Sequence, residues 1–81
     1  MGWSVKLEDK NGKEAWVYSD STKHQHSAKV NTKLEKALDR KFPNREWKFS
    51  TYKPGHQIGS QKSGSIDLDD LIKEYPNEFK N

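Results

Sequence analysis

The stretch WSVKLEDKNGKEAWVY, residues 3–18, decides the fold of this chain. It places Asn11-Gly12 between two segments in which apolar and polar residues largely alternate. Asn-Gly is the strongest short signal for a β-hairpin, because both central residues of a type I′ turn need a positive φ. The sequence therefore predicts a hairpin over residues 3–19.

The register of this hairpin depends on the length of its loop. A two-residue loop sets Leu7 opposite Trp16 and Val5 opposite Tyr18. It also places like charges opposite each other beside the turn, so a longer loop remains open as an alternative. The shorter loop predicts one inward face, made of Trp3, Val5, Leu7, Trp16 and Tyr18.

A basic amphipathic helix is predicted over residues 27–41. Its apolar residues recur at i, i+4, i+7 and i+8, which is one helical face. Phe42-Pro43 ends it, since a residue before proline avoids the α region. The residues of the predicted apolar face are Val30, Leu34, Ala37 and Leu38.

Further along the chain, residues 45–52 alternate as in a strand, with Trp47, Phe49 and Thr51 on one side. The tetrapeptide at 53–56 has proline and glycine where a type II turn needs them. Residues 53–65 then form either a Gly/Ser/Lys loop or a weak fourth strand near 57–62.

The last predicted element is a helix over residues 67–75. Asp67 is the expected N-cap, and Asp69 and Asp70 lie in the first turn, where the helix dipole favours anions. The element order β-β-α-β-(β)-α predicts one small α+β domain over residues 1–81. Its antiparallel sheet has three or four strands, and two helices pack on it.

Composition and charge restrict the classes of partner that this protein can bind. Of the 81 residues 30% are hydrophobic and 33% are charged, and nine aromatics indicate a folded chain. No apolar run approaches the roughly 20 residues of a membrane span, so we expect a cytoplasmic protein with no membrane partner. Residues 23–62 hold ten Lys or Arg against three acids, whereas both flanks are net acidic. Such asymmetry is typical of a surface that binds polyanions.

Two groups of residues are the candidate binding site. Five cationic or titratable residues of the predicted helix fall within an arc of about 80° and span about 21 Å. They are His26, Lys29, Lys33, Lys36 and Arg40, with Glu35 and Asp39 on another face. A second group surrounds the 45–52 strand and its loop, where a tyrosine beside lysines is suited to stacking a base. Its members are Arg45, Lys48, Tyr52, Lys53, His56 and Lys62.

Catalytic and metal sites are not predicted. The chain has no cysteine, so thiolate chemistry and cysteine-ligated zinc are excluded. The glycines of residues 55–63 do not match the G-x-x-x-x-G-K-[ST] phosphate loop. We expect no cofactor, no metal and no enzymatic activity.

The function that these features favour is non-catalytic binding of RNA or DNA through the phosphate backbone. The small size of the chain suggests an accessory or regulatory protein of a phage-like kind. One alternative is an inhibitor or antitoxin-type module that docks an acidic protein surface through the same basic face. Another is a small nuclease that uses histidine and lysine. The charges are compatible with each.

Overall fold

The computed structural model describes residues 2–20, 22–56 and 65–80, and shows a four-stranded sheet with two helices on one face. The strand order is β3-β1-β2-β4. β1 pairs antiparallel with β2 and β3, while β4 runs parallel to β2, so the expected antiparallel sheet is mixed. The α+β class is confirmed. The elements are β1 (Gly2–Glu8), β2 (Glu14–Asp20), α1 (Ala28–Lys41), β3 (Lys48–His56), β4 (Ile66–Asp67), α2 (Leu68–Glu74) and a 3-10 turn (Pro76–Glu78).

The predicted register of the hairpin is wrong by one residue. Val5 pairs with Val17 and Leu7 with Ala15, so Trp16 lies opposite Lys6 instead. Because side chains alternate across a sheet, this step moves Trp16 to the face away from the helices. Val17 takes the inward place and is fully buried.

Asp9 causes this shift by organising a longer loop. Its Oδ1 accepts hydrogen bonds from the backbone N–H of Asn11 at 2.9 Å and of Lys13 at 2.8 Å. Gly12 has a φ of 84°, whereas Asn11 stays out of the left-handed region, so the turn is not type I′. The loop therefore runs from Asp9 to Lys13, and Glu8 pairs with Glu14.

The core lies between the sheet and both helices. Trp3, Val5, Leu7 and Val17 contribute from the strands, and Trp47 lies just before β3. α1 adds Leu34, Ala37 and Leu38, while α2 adds Leu68 and Leu71. Trp3 is buried as predicted and Trp47 is also buried, but Trp16 is only half-buried.

The third strand differs from its prediction at both ends. It begins at Lys48 rather than 45, because Asn44 and Glu46 have φ values of 69° and 59°, which no strand accommodates. It continues to His56, so the predicted turn at 53–56 is wrong. β3 is an edge strand, where Pro54 does not interrupt a ladder on its outer side.

A bulge within β3 also overturns the predicted alternation. Leu7 pairs with Phe49 and Lys6 with Thr51, which leaves Ser50 as an extra residue. Phe49 and Thr51 therefore lie on opposite faces, and Tyr52 shares the face of Phe49. The predicted fourth strand near 57–62 falls outside the described residues.

The ends of both helices agree closely with the sequence. Ser27 is the N-cap of α1, and its side chain accepts a hydrogen bond from the Val30 N–H at 3.2 Å. Asp67 is the N-cap of α2 and accepts from Asp69 N–H at 2.9 Å. Among the described helices, none has the length and apolarity needed to cross a bilayer.

Candidate nucleic-acid interface

The solvent-facing side of α1 forms one wall of a basic groove. The C-terminal segment forms the other wall, and the groove has a volume of about 370 Å³. We call it the α1 groove, and its lining residues are Lys29, Thr32, Lys33, Lys36, Asn77, Glu78 and Lys80.

The packing of α1 explains why its lysines face outward. Leu34, Ala37 and Leu38 turn toward the core and are fully buried. On the side toward β3, Glu35 Oε2 accepts a hydrogen bond from Phe49 N–H at 2.8 Å, and Asp39 Oδ1 accepts from Trp47 N–H at 2.9 Å. Both acids of the helix are thus bound to backbone, and neither faces the lysines.

Within the α1 groove, cations outnumber acids. Lys29, Lys36 and Lys80 are exposed, and none has an ion pair with a carboxylate of residues 2–20, 22–56 or 65–80. Lys33 is half-buried in the same groove. Glu78 is the acid of this lining, and it is bound to Nε of Arg40. The ion pair leaves the lysines as the dominant charge of the groove.

Arg40 belongs to the predicted basic face, but the structure gives it an acidic partner there. Glu78 is distant in sequence, so helical periodicity could not reveal the pair. Lys41, at the end of α1, is likewise bound to Glu74, with Nζ and Oε1 2.8 Å apart. The two ion pairs fasten α1 to the C-terminal part of the chain.

His26 precedes α1 and does not extend its basic face. Its ring stacks on Tyr52, with centroids 3.9 Å apart and planes at 11°. It also meets Trp3 edge-on at 5.4 Å, and its Nε2 lies 2.8 Å from Oδ1 of Asn31. His26 and Tyr52 therefore form one aromatic group between the helix layer and the β3 edge.

Arg45 supports the hairpin loop. Its Nη1 lies 3.5 Å from Oδ2 of Asp9, and its carbonyl accepts a hydrogen bond from Lys10 N–H at 2.8 Å. Burial alone would raise the pKa of Asp9. Backbone hydrogen bonds from Lys13 and Asn11 and the guanidinium of Arg45 outweigh that effect, so the pKa lies below its usual value.

The remaining predicted cations are dispersed. Lys48 and Lys53 lie on the face of the sheet opposite the helices, which we call the open face. Lys53 Nζ is 5.7 Å from the ring centroid of Trp16. His56 ends β3, paired with Gly2, while Lys62 lies outside the described residues. The predicted site residues whose side chains the structure describes thus do not form a single surface.

Two aromatic residues of the open face were assigned to the core by the sequence. Trp16 and Tyr18 are half-buried there, and no described helix packs over them. Burial, with the nearby carboxylates of Asp67 and Asp70, raises the pKa of Tyr18. Lys6 lies between Glu8 and Glu14 at 3.4 and 3.5 Å, so this face is much less basic than the α1 groove.

The histidines do not assemble a metal site in the part of the chain that the structure describes, where no suitable cluster of three ligands occurs. His24 Nε2 instead donates to Oδ1 of Asp69 at 2.8 Å, and Lys23 Nζ lies 3.3 Å from the other oxygen. The hydrogen bond from His24 is the main cause of a lowered pKa at Asp69.

Comparison with known proteins adds no functional information. The sequence matches no protein-family model, and no curated protein or solved structure is significantly similar to it.

Proposed function

We propose that this protein binds nucleic acid without catalysing a reaction, and that the α1 groove contacts the phosphate backbone. The observation that carries the proposal is the convergence of Lys29, Lys36 and Lys80 on one groove, with no carboxylate partner among the described residues. Phosphates would supply the missing counter-charges, and their binding would release condensed cations from the nucleic acid.

The cost of this arrangement to the free protein supports a binding role. Lys29 and Lys33 are spaced i,i+4, a like-charge spacing that costs a few tenths of a kcal/mol. Lys36 has the same spacing to Arg40, whose charge is offset by Glu78. Some cations elsewhere in the chain are neutralised: Lys10 has a carboxylate 3.5 Å away, as Arg45 has. A helix face selected only for solubility would carry acidic residues between its basic ones, so that its cations were neutralised too.

The test is the salt dependence of binding to a fluorescent duplex. Each phosphate contact contributes a slope of about −0.9 in log K against log salt, so three or four contacts predict about −3 to −4. The double variant Lys29→Gln/Lys36→Gln should flatten the slope by up to about two units. It should weaken every base sequence alike, because phosphate contacts carry no base information.

A matched control separates local contacts from net charge. Lys13 and Lys73 are also exposed, without a carboxylate partner among the described residues, but lie away from the α1 groove. Lys13→Gln/Lys73→Gln removes the same charge and should leave the salt slope unchanged. Equal effects of both double variants would show that only net charge matters.

The same assay on the wild-type protein distinguishes nucleic acid from the alternative partner. If wild-type protein shows no salt-dependent binding to duplex or single-stranded nucleic acid, the proposal is wrong. The acidic protein surface then becomes the working hypothesis.

A further inference from the structure

The aromatic cluster of β3 extends the proposed function to a particular form of nucleic acid. The cluster consists of His26, Phe49 and Tyr52. Phe49 and Tyr52 are three apart in sequence, so a regular strand would place them on opposite faces. The bulge at Ser50 brings both to the face that also carries the helices.

Large apolar side chains are exposed at this cluster. Phe49 is 37% exposed and Tyr52 is 38% exposed, although the core lies directly beside them. Exposed aromatics on an edge strand favour association with other molecules, and folded proteins usually avoid them. Their exposure leaves ring surface open to a ligand that stacks on aromatic faces.

The three rings form a stack that exists before any ligand binds. The rings of Tyr52 and His26 are stacked within 11° of parallel. The ring centroids of Phe49 and His26 are 6.2 Å apart, and their planes are tilted by 32°. Below them His26 rests against buried Trp3, and Asn31 is bound to its Nε2. A preformed stack of this kind loses little rotamer entropy when a flat ligand binds.

The cluster lies on the β3 side of α1, and the α1 groove lies along the outer side of the same helix. Lys29 follows His26 by three residues, at the first turn of α1. Glu35, which binds the N–H of Phe49, immediately precedes Lys36 in the helix. Aromatic faces and unneutralised lysines around one helix match the chemistry of single-stranded nucleic acids, whose bases are free to stack while phosphates bind cations. In a duplex the bases are already stacked on one another and unavailable.

We propose that the cluster of His26, Phe49 and Tyr52 stacks unpaired bases, so that the protein prefers single-stranded RNA or DNA to a duplex. This inference rests on the proposed function, because the α1 groove supplies the phosphate contacts. The cluster supplies the discrimination between single and double strands.

The test compares Phe49→Leu with Phe42→Leu by anisotropy of labelled oligothymidylate, oligouridylate and a blunt duplex. Phe42 is also 37% exposed but lies at the far end of α1, so it is a matched control. Phe49→Leu should weaken single-strand binding by roughly five- to a hundredfold, the usual effect of one lost stacking partner, and leave duplex binding unchanged. Phe42→Leu should change neither.

Each outcome bears on a different statement. If Phe49→Leu and Tyr52→Leu, both shown by circular dichroism to be folded, bind oligonucleotides as tightly as wild type, the stacking site is refuted. The proposed function then still stands, provided that Lys29→Gln/Lys36→Gln weakens binding. If that variant also binds normally, the α1 groove is refuted as well.

Photo-crosslinking locates the bases directly. A halogenated oligouridylate should crosslink to Tyr52 or Phe49, as read by mass spectrometry of the peptides. Crosslinks to Trp16 or Tyr18 would instead place the bases on the open face and overturn the assignment.

Discussion

Replacing Val17 by threonine tests the register that separates the two faces of the hairpin. Val17 is fully buried, and threonine has nearly the same shape and strand propensity. The main change is one hydroxyl placed in an apolar core, which costs about 1–3 kcal/mol. A two-residue loop would instead put residue 17 on the open face, where the substitution costs almost nothing.

Urea unfolding followed by circular dichroism measures this cost. For a small domain with a slope near 1 kcal/mol/M, the midpoint should fall by roughly 1–3 M with the slope unchanged. Thr51→Val on the open face is the reverse control, and should leave the midpoint nearly where it was. A Val17→Thr protein as stable as wild type would refute the register and with it the separation of faces.

The other predictions concern a strained residue, a buried donor and a pH-dependent pair. Glu46 has a φ of 59°, which is strained for a residue with a Cβ. Glu46→Gly should therefore raise the free energy of unfolding, measured by thermal denaturation, by up to about 1 kcal/mol. Asp39→Ala should cost about 1–3 kcal/mol in urea unfolding, because it leaves Trp47 N–H without its acceptor, and Asp39→Asn should restore most of this. In His24→Ala, which removes the hydrogen bond to its carboxylate, the pKa of Asp69, followed by NMR, should return toward its ordinary 3.8. Because that pKa is lowered in the folded protein, ionised Asp69 stabilises the fold above pH 4, and this contribution disappears as the pH falls through the lowered value. The free energy of unfolding of the variant should therefore decrease less on acidification than that of the wild type.

The sequence alone determined the elements whose signals are local. A 3.6-residue apolar period specifies α1, whereas the choice of Ser27 among several possible caps was made by the structure. The Asp67 cap specifies α2. Such interactions lie within a few residues of each other, so the chain forms them wherever the helix packs. The outward lysines of α1 follow from the same periodicity, which is why much of the α1 groove was predictable.

Only the tertiary structure decided how these elements meet. The hairpin register depends on Asp9, which is bound both to its own loop and to Arg45. The bulge at Ser50 places Phe49 and Tyr52 on the same face of the sheet at its β3 edge. Arg40 meets Glu78 only because the C-terminal turn returns to α1. Apart from the bonds of Asp9 within its own loop, these contacts join residues far apart in sequence. A one-residue change of pairing moves every side chain to the other face, so the alternating pattern could not choose between the registers.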